Sequence, residues 1–381
     1  MEDGSSRYSR DNWRLKAVLV LLGSLCLLAF SGSGAAVADD ATPTWQLKKY
    51  PSRGWDRSFK LDLAEELPRT PRVVVFGGSR ALRLDPETIE RKTRLPAFNF
   101  AFHNGRPEDA WAVTDWMLDT HPDEPPAVIW CVQATTFADV PMATGLIVDK
   151  RLSQAFPASL IKSKLKAAMR EPKRNLLSGR RFGYDGMLWW NRYDSRRAEG
   201  LTLQKALRRY LSAKMLAKAG NRKRPGRTRA KSYFSRTLLL LNSRGIRPVI
   251  VIMPYHPTVR KAFNAVGWRV KERAMRTYLK KLRQYRDFRI VDCLNIKTFG
   301  GSPNGFYDGA HLTAGNSRRL IRYVVKRVPG CFRVPPPPKP APSPSGSPER
   351  SVSSGDGAQL IPAPAPTPVP EVTSTPADFL E

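Results

Sequence analysis

The chain has 381 residues and carries 64 lysines and arginines against 33 aspartates and glutamates, which gives a formal net charge of +31 at pH 7. Its 41% hydrophobic and 25% charged residues are ordinary for a folded protein and exclude a wholly disordered chain. Four cysteines exclude a disulfide-dense scaffold, and glycine has no three-residue period, which excludes collagen. The charge indicates an anionic partner without saying whether it is nucleic acid, lipid headgroup or acidic polymer.

The first 38 residues have the pattern of an export signal. Four basic residues precede an apolar segment over 17–30, about 14 residues long, whereas a spanning helix needs ~20. Ala36-Val37-Ala38 before Asp39 fits an A-x-A cleavage site. We therefore predict an extracytoplasmic protein, secreted or in the cell envelope, with an uncleaved signal acting as a membrane anchor as the alternative. Outside the cytoplasm, anionic lipids and wall or capsule polymers are better partners than nucleic acid.

The C-terminal segment over 334–381 is marked by its composition. It holds 14 of the 33 prolines, with five acidic and two basic residues and no apolar periodicity. Such a segment cannot bury enough surface to offset its ordering entropy, so we expect a disordered, partly polyproline tail that acts as a spacer. The excess positive charge therefore belongs to the body, 71–333, which follows an N-terminal lead-in over 39–70.

The body alternates short apolar runs with helical patterns. The runs predict five strands, at 72–76, 97–101, 127–132, 248–253 and 288–291. Apolar residues at helical spacing predict helices over 107–118, 234–242, 265–285 and 314–328. This alternation is typical of a parallel sheet covered on both faces, so we predict an α/β three-layer sandwich with a five-stranded parallel sheet. In such sheets the chemistry lies on loops beyond the carboxyl ends of the strands.

A serine occupies such a loop directly after the first predicted strand. Ser79 follows Gly77-Gly78 there, and a serine is a weak nucleophile until a neighbouring base removes its proton. Of the four histidines, His121 lies in a polar turn away from the strand ends and is interpreted as a surface residue. His103 and His256 follow the second and fourth strands and stay open as candidate bases.

The fourth histidine follows the last strand and has an aspartate three residues before it. In Asp308-x-x-His311 the carboxylate can accept the imidazole Nδ1 proton, which leaves Nε2 free to take the proton of a serine. A structural interpretation is that Asp308 caps a turn and His311 is incidental. The place of this pair after the last strand, with Ser79 after the first, favours a Ser79–His311–Asp308 triad. Such a triad requires no metal and no cofactor.

These residues together resemble the SGNH/GDSL hydrolase superfamily over about 71–328. The resemblance lies in Phe76-Gly77-Gly78-Ser79-Arg80-Ala81-Leu82-Arg83 with Asp85-Pro86, and in the D-x-x-H before the last helix. More narrowly, the opening looks like that of exported members associated with acylation of cell-surface polymers. The resemblance implies that Ser79 is acylated, that His311 is the general base and that Asp308 orients it. The acyl group would then pass to water or to a sugar or polyol hydroxyl.

The resemblance also implies an oxyanion hole. Its donors would be the backbone amide of Ser79, the amide of Gly105 after the second strand, and a side-chain amide after the third. At the third position the family usually has asparagine, whereas this chain offers Gln133. Loss of one such donor costs about 10²- to 10³-fold in rate, so a slow enzyme and a noncatalytic relative are both open here. Gly78 stands where the family has the aspartate of its G-D-S opening.

More than half of the net charge falls between the third and fourth strands, in an insertion over about 140–230. Residues 161–230 hold 21 lysines and arginines against four acidic residues, a net charge of +17. Within this stretch, leucines and alanines recur at helical spacing over 201–219. Aromatic residues occur among the basic ones over 183–191, either as a sugar-binding surface or as an anchor of the insertion to the core. The insertion is interpreted as a helix on an anionic membrane, as a basic lid that holds an acidic polymer, or as a merely solvated face.

The sequence thus predicts an exported serine esterase or O-acyltransferase that acts on a cell-envelope glycan or related polymer. The alternative is a noncatalytic SGNH-like protein that binds an anionic envelope polymer through its basic insertion. Three cysteines remain beyond the signal, and a bridge between Cys293 and Cys331 is one option for two of them.

Overall fold

The computed structural model describes residues 47–49, 56–138, 140–170, 181–190, 200–220 and 228–333. The predicted export signal and the proline-rich tail lie outside the described residues. Among the helices that the model describes, none is both long enough and apolar enough to cross a membrane.

Five parallel strands form the central sheet. In chain order the strands within the described residues are β1 (Leu47–Lys49), β2 (Val73–Phe76), β3 (Ala97–Asn99), β4 (Ala127–Val132), β5 (Arg181–Gly183), β6 (Leu188–Trp190), β7 (Val249–Ile252) and β8 (Arg289–Asp292). The central sheet has the order β3-β2-β4-β7-β8, and every neighbouring pair in it is parallel. The predicted α/β class with a five-stranded parallel sheet is confirmed.

Helices connect and flank these strands. They are α1 (Asp56–Glu65), α2 (Pro86–Thr93), α3 (Pro107–Thr120), α4 (Gly145–Val148), α5 (Lys150–Ser153), α6 (Ala158–Arg170), α7 (Leu203–Tyr210), α8 (Ala213–Gly220), α9 (Arg229–Ser243), α10 (Pro257–Ala265), α11 (Trp268–Leu282) and α12 (Ala314–Arg327), with 3₁₀ turns at Ile296–Phe299 and Pro329–Phe332. The helix predicted over 265–285 corresponds to α11, which begins later, at Trp268, because Gly267 at φ 95° separates it from α10.

The core lies on both faces of the central strands. Val73, Val74 and Val75 of β2 are fully buried, as expected for a strand covered on two sides. Trp130 on β4 packs its ring against Phe76 and Phe234, with centroid distances of 5.9 and 4.3 Å. These aromatic contacts join the sheet to α9, so the strand ends are carried on a rigid frame.

Helix α1 belongs to this core although its buried face is charged. Lys60 is fully buried and its Nζ donates to the carbonyls of Asn99 and Ala101 at 2.7 and 2.6 Å. Arg57 Nε donates to Asp109 Oδ1 at 2.9 Å. Burial lowers the pKa of Lys60 to about 7. Because charged residues interrupt the apolar pattern of this segment, the helix was not predicted and the segment was assigned to the lead-in.

The described part of the insertion is tied to the rest of the protein at several places. Strand β5 pairs antiparallel with β1 and with β6, and the Leu188 amide donates to the Leu82 carbonyl at 2.9 Å. Phe182 and Leu188 are buried, whereas Tyr184 between them is 51% exposed. Farther along, α7 and α8 pack their apolar residues on α10, where Tyr210 stacks against Phe263. Phe182 and Leu188 therefore anchor the β5 and β6 part of the insertion to the core.

The cysteines of the body are reduced in the structure. Cys131, Cys293 and Cys331 are all free and buried, so the bridge considered between Cys293 and Cys331 is not formed. Burial raises the pKa of each thiol, which keeps these side chains protonated and unreactive at neutral pH.

Candidate active site

The strand order creates a crevice between the carboxyl ends of β2 and β4. The chain passes from β2 to β3 on one side of the sheet centre and then crosses to β4 on the other, which makes this pair the topological switch point. Ligands of open parallel sheets bind at such a point, because the flanking loops diverge there. Ser79 follows β2 and Gln133 follows β4, so both predicted residues border the crevice.

The turn that carries the serine is fixed from below by a buried amide. Asn99 is fully buried, and its Nδ2 donates to the carbonyls of Ala81 and Leu84 at 2.9 and 2.8 Å. Asp85 then caps α2 by accepting from the Thr88 amide at 3.3 Å. The turn is therefore held at both ends, which limits how far the serine can shift.

Ser79, His311 and Asp308 form one hydrogen-bonded chain. His311 Nε2 lies 3.1 Å from Ser79 Oγ, and His311 Nδ1 lies 2.9 Å from Asp308 Oδ2. A carboxylate only accepts, so Nδ1 carries the proton and Nε2 accepts from the serine hydroxyl. The structure brings together all three residues of the predicted triad, in the geometry of a nucleophile, a base and its orienting acid.

The carboxylate of this chain is kept ionised. Asp308 is 3% exposed, and burial alone would raise the pKa of its carboxyl. The electrostatic contact and hydrogen bond with the His311 ring, together with the backbone amides of Ala310 and His311 at 2.7 and 2.9 Å, outweigh burial and hold the pKa of the Asp308 carboxyl below its usual range. The spacing of three residues between Asp308 and His311 follows from this tight loop, because the Asp308 carboxylate accepts hydrogen bonds from both the loop backbone and the His311 ring.

The other histidines have different positions. His256 is buried and caps α10, where its Nδ1 accepts from the Thr258 amide at 3.2 Å. Burial lowers the pKa of His256, which favours the neutral ring. His103 borders the crevice, and His121 is exposed at the end of α3. His311 is therefore the histidine that the structure places on Ser79.

The three predicted oxyanion donors lie on the same cavity but are not equivalent. Among the residues that the structure describes, none accepts a hydrogen bond from the Ser79 amide, so that donor is open. The Gly105 amide already donates to the Phe102 carbonyl at 3.0 Å, so an oxyanion would have to share it. A glycine is needed there because a Cβ would lie 2.1 Å from the Gly77 carbonyl oxygen. Gln133 borders the same space.

Arg80 fixes the orientation of Gln133. Its Nη1 donates to Gln133 Oε1 at 2.6 Å, and Nη2 donates to the Pro254 carbonyl. Its guanidinium lies 3.9 Å from the ring centroid of Tyr255. Since arginine cannot accept, the glutamine must turn its oxygen toward Arg80, and its NH₂ group faces away. Arg80 belongs to the motif after the first strand, but its role in orienting Gln133 was not predicted, because the two residues are 53 positions apart in the sequence.

Charged groups of α1 hold the loop after β3. The Asp56 carboxylate accepts from the His103 amide at 2.9 Å, and Arg57 Nη1 donates to the His103 carbonyl at 3.3 Å. Arg57 is in turn paired with Asp109 at the start of α3. Buried charge-assisted bonds of this kind fix a loop more firmly than neutral ones. They position the backbone that leads into Gly105.

The loop that carries Asp308 and His311 is held from two sides. Arg83, from the serine turn, donates to the Tyr307 hydroxyl at 2.6 Å. The His256 amide donates to the Gly309 carbonyl at 3.0 Å. A Cβ on Gly309 would lie 2.5 Å from the ring of Tyr210, so only glycine lets the insertion approach this closely. The insertion therefore supports the loop that bears the base.

The crevice opens into a cavity of about 650 Å³ with basic walls. Charged side chains on it are Asp56, Arg57, Arg80, Arg106 and Lys218. Lys218 comes from α8, so the described part of the basic stretch 161–230 reaches the space in front of the serine. Arg57 is balanced by Asp56 and Asp109, so the remaining basic groups, Arg80, Arg106 and Lys218, favour an electron-rich or anionic ligand.

No protein-family model matches the chain, and no curated protein matches it. Among solved structures, it is similar to a protein of Bacteroides fragilis described as a "putative acylhydrolase", with 11% sequence identity and a TM-score of 0.34. The match covers 74% of this chain and all of that one. A similarity this low carries no argument about activity, so the chemistry of the site has to be argued from its own residues.

Proposed function

We propose that the protein is an exported serine esterase or O-acyltransferase of SGNH type that acts on a cell-envelope glycan or related polymer. One observation carries the proposal: the continuous hydrogen-bonded chain from Ser79 Oγ through His311 to Asp308. It opens on a cavity at the switch point of a parallel sheet, where a substrate ester can reach the hydroxyl.

In the proposed reaction, Ser79 Oγ attacks the acyl carbonyl while His311 Nε2 takes the hydroxyl proton. The carbonyl π electrons move to the oxygen, which becomes the oxyanion of a tetrahedral intermediate. Collapse of the intermediate breaks the bond to the leaving alkoxide, which receives the proton from His311. Water or an acceptor hydroxyl then attacks the acyl-serine, again with His311 as base, and the serine leaves with its proton restored.

The oxyanion would be stabilised by the open Ser79 amide and by the NH₂ group of Gln133. Both are fixed before the substrate arrives, so little reorganisation is needed when the charge develops. The Gly105 amide would contribute as a shared donor. Two strong donors and one shared donor predict a slower enzyme than a complete hole would give.

The basic walls and the export signal support a polymer of the cell envelope as the substrate. Arg106 and Lys218 border the cavity and attract a negatively charged chain, whereas the charge of Arg57 is balanced by Asp56 and Asp109. The signal pattern over 1–38 would deliver the protein to such polymers. A noncatalytic binder remains the competing function, and the experiment below separates the two.

The test is hydrolysis of a small aryl acetate by the full chain and its variants. We expect Ser79→Ala and His311→Ala each to lower kcat by about 10⁴-fold or more, since each removes a member of a unit that works together. His121→Ala is the matched control, because it deletes an exposed imidazole far from the serine, and it should keep full activity. Wild-type protein without turnover, or Ser79→Ala with unchanged turnover, would contradict catalysis and leave the binding function.

A further inference from the structure

A second concave surface lies on the other side of Tyr255 from the serine cavity. A cavity of about 580 Å³ is bordered by α10, the start of α11 and the turn after β8, and a smaller one of about 350 Å³ continues along α11. Both contain Arg260, Asn264 and Arg269 in their walls. We call this surface the basic groove and define it by Arg260, Lys261, Arg269, Arg273 and Arg276.

The charge of the basic groove is only partly balanced. Glu272 is buried, accepts from Trp268 Nε1 at 3.1 Å and pairs with Arg260 at 3.3 Å. Arg276 pairs with Asp292. Among the described residues, no carboxylate lies within ion-pair distance of Lys261, Arg269 or Arg273. Three exposed cations are therefore left to face a ligand.

Three cations of the basic groove form a row along α11. Arg269, Arg273 and Arg276 follow at intervals of four and three residues and share one face of α11. Like charges four residues apart on an exposed helix face repel one another. Arginines in a row along a concave surface are the pattern expected where a ligand with repeated negative charges binds.

The basic groove and the serine cavity share structural elements. Met253 borders the serine cavity and Tyr255 borders the groove, and Arg80 packs on Tyr255 from the serine side. Lys271 on α11 donates to the carbonyl of Lys218, whose side chain lines the serine cavity. A polymer held in the groove therefore lies at the same edge of the sheet as the serine.

We propose that the basic groove is a second binding site, which takes a linear glycan-type polyanion with repeated carboxylate or phosphate groups. Guanidinium groups bind both anions through paired N–H donors, and their spacing along α11 suits successive charges of one chain. The site is separate from ester chemistry, and it lies outside the basic insertion to which the sequence assigned polymer binding.

The proposal is tested by titrating the full chain carrying Ser79→Ala with two polymers. Polygalacturonate presents carboxylates and poly(glycerol phosphate) presents phosphates, with neutral dextran as the blank. The variant is Arg269→Gln/Arg273→Gln. Its control is Arg322→Gln/Lys326→Gln, which removes two exposed charges four residues apart on α12 and so changes the net charge equally. Unfolding curves of both variants establish that the fold is kept.

We expect the groove variant to raise the Kd for at least one polyanion by about tenfold and the control by less than about twofold. Binding should weaken between about 50 and about 200 mM salt, and Lys261→Gln alone should give a smaller loss in the same direction. Binding of only one polymer identifies the anionic group that the site prefers. Equal losses in both double variants, or no binding of either polymer, overturn the proposal. Because Ser79 is absent throughout, failure here leaves the proposed ester chemistry untouched.

Discussion

The serine site has a proton-relay side, formed by Asp308 and His311, and an oxyanion side, formed by Gln133 and Gly105. The two sides are built in different ways. Asp308 and His311 lie on one short loop, where a single carboxylate binds two backbone amides and the imidazole. Gln133 is instead oriented by Arg80, and the loop before Gly105 is held by α1. One half of the site is fixed locally and the other by distant buried cations. The two halves should therefore fail differently when they are mutated.

The largest effect is expected on the relay side, from Asp308→Asn. An amide in place of the carboxylate favours the wrong imidazole tautomer, so kcat for an aryl acetate should fall by about 10⁴-fold with little change in KM. Asp123→Asn, in an exposed turn, is the control and should leave kcat unchanged. Near wild-type activity of Asp308→Asn would show that this aspartate only caps the loop.

A smaller effect is expected on the oxyanion side, from Gln133→Glu. The carboxylate keeps the contact with Arg80 but loses the NH₂ donor, so kcat should fall by about 10²- to 10³-fold. Gln133→Ala serves as the comparison, because it loses the donor and the Arg80 contact together. We expect similar kcat for both variants but lower thermal stability for the alanine. If Gln133→Glu keeps the wild-type kcat, Gln133 is not an oxyanion donor.

The smallest effect on activity, but a clear one on stability, is expected at Asp185, whose backbone carbonyl accepts from the Asn99 amide. Burial raises the pKa of this carboxyl to about 7, above its ordinary value of 3.8. Its contribution to stability is therefore present at low pH and is lost as the pH rises toward about 7. Asn in its place stays neutral and can still accept from the Met187 amide.

Asp185→Asn should thus match the wild type near pH 4 and exceed its free energy of unfolding by about 2–4 kcal/mol at pH 8. Denaturant titrations at several pH values measure this difference, and the activity per folded molecule serves as the control. A difference that stays constant across this range would mean that Asp185 does not titrate as described.

The same contrast explains how much the sequence could predict. The valine run of β2 and the i, i+3 pair of Asp308 and His311 are local patterns, and both were found where they were expected. Helix α1 was missed because its buried face carries Arg57 and Lys60, whose partners are carbonyls and carboxylates far along the chain. No apolar periodicity can reveal such a helix.

Long-range packing also determines which of the positive charges line a concave surface. The count of basic residues predicted that 161–230 binds the anionic partner, and Lys218 of this stretch does border the serine cavity. The basic groove, however, is formed by α10 and α11, whose arginines only become a concave surface once Gly267 breaks the chain into two helices. A residue count cannot distinguish a solvated face from a cavity wall.

The most direct test of the central claim is labelling of the full chain with a fluorophosphonate probe, followed by mass spectrometry of the modified peptide. The probe reacts with a serine whose hydroxyl is activated by a base, so it reports nucleophile, base and access together. We expect a single modified site at Ser79, with labelling lost in Ser79→Ala and strongly slowed in His311→Ala. Absence of labelling in the wild type, or labelling at another serine, would contradict it.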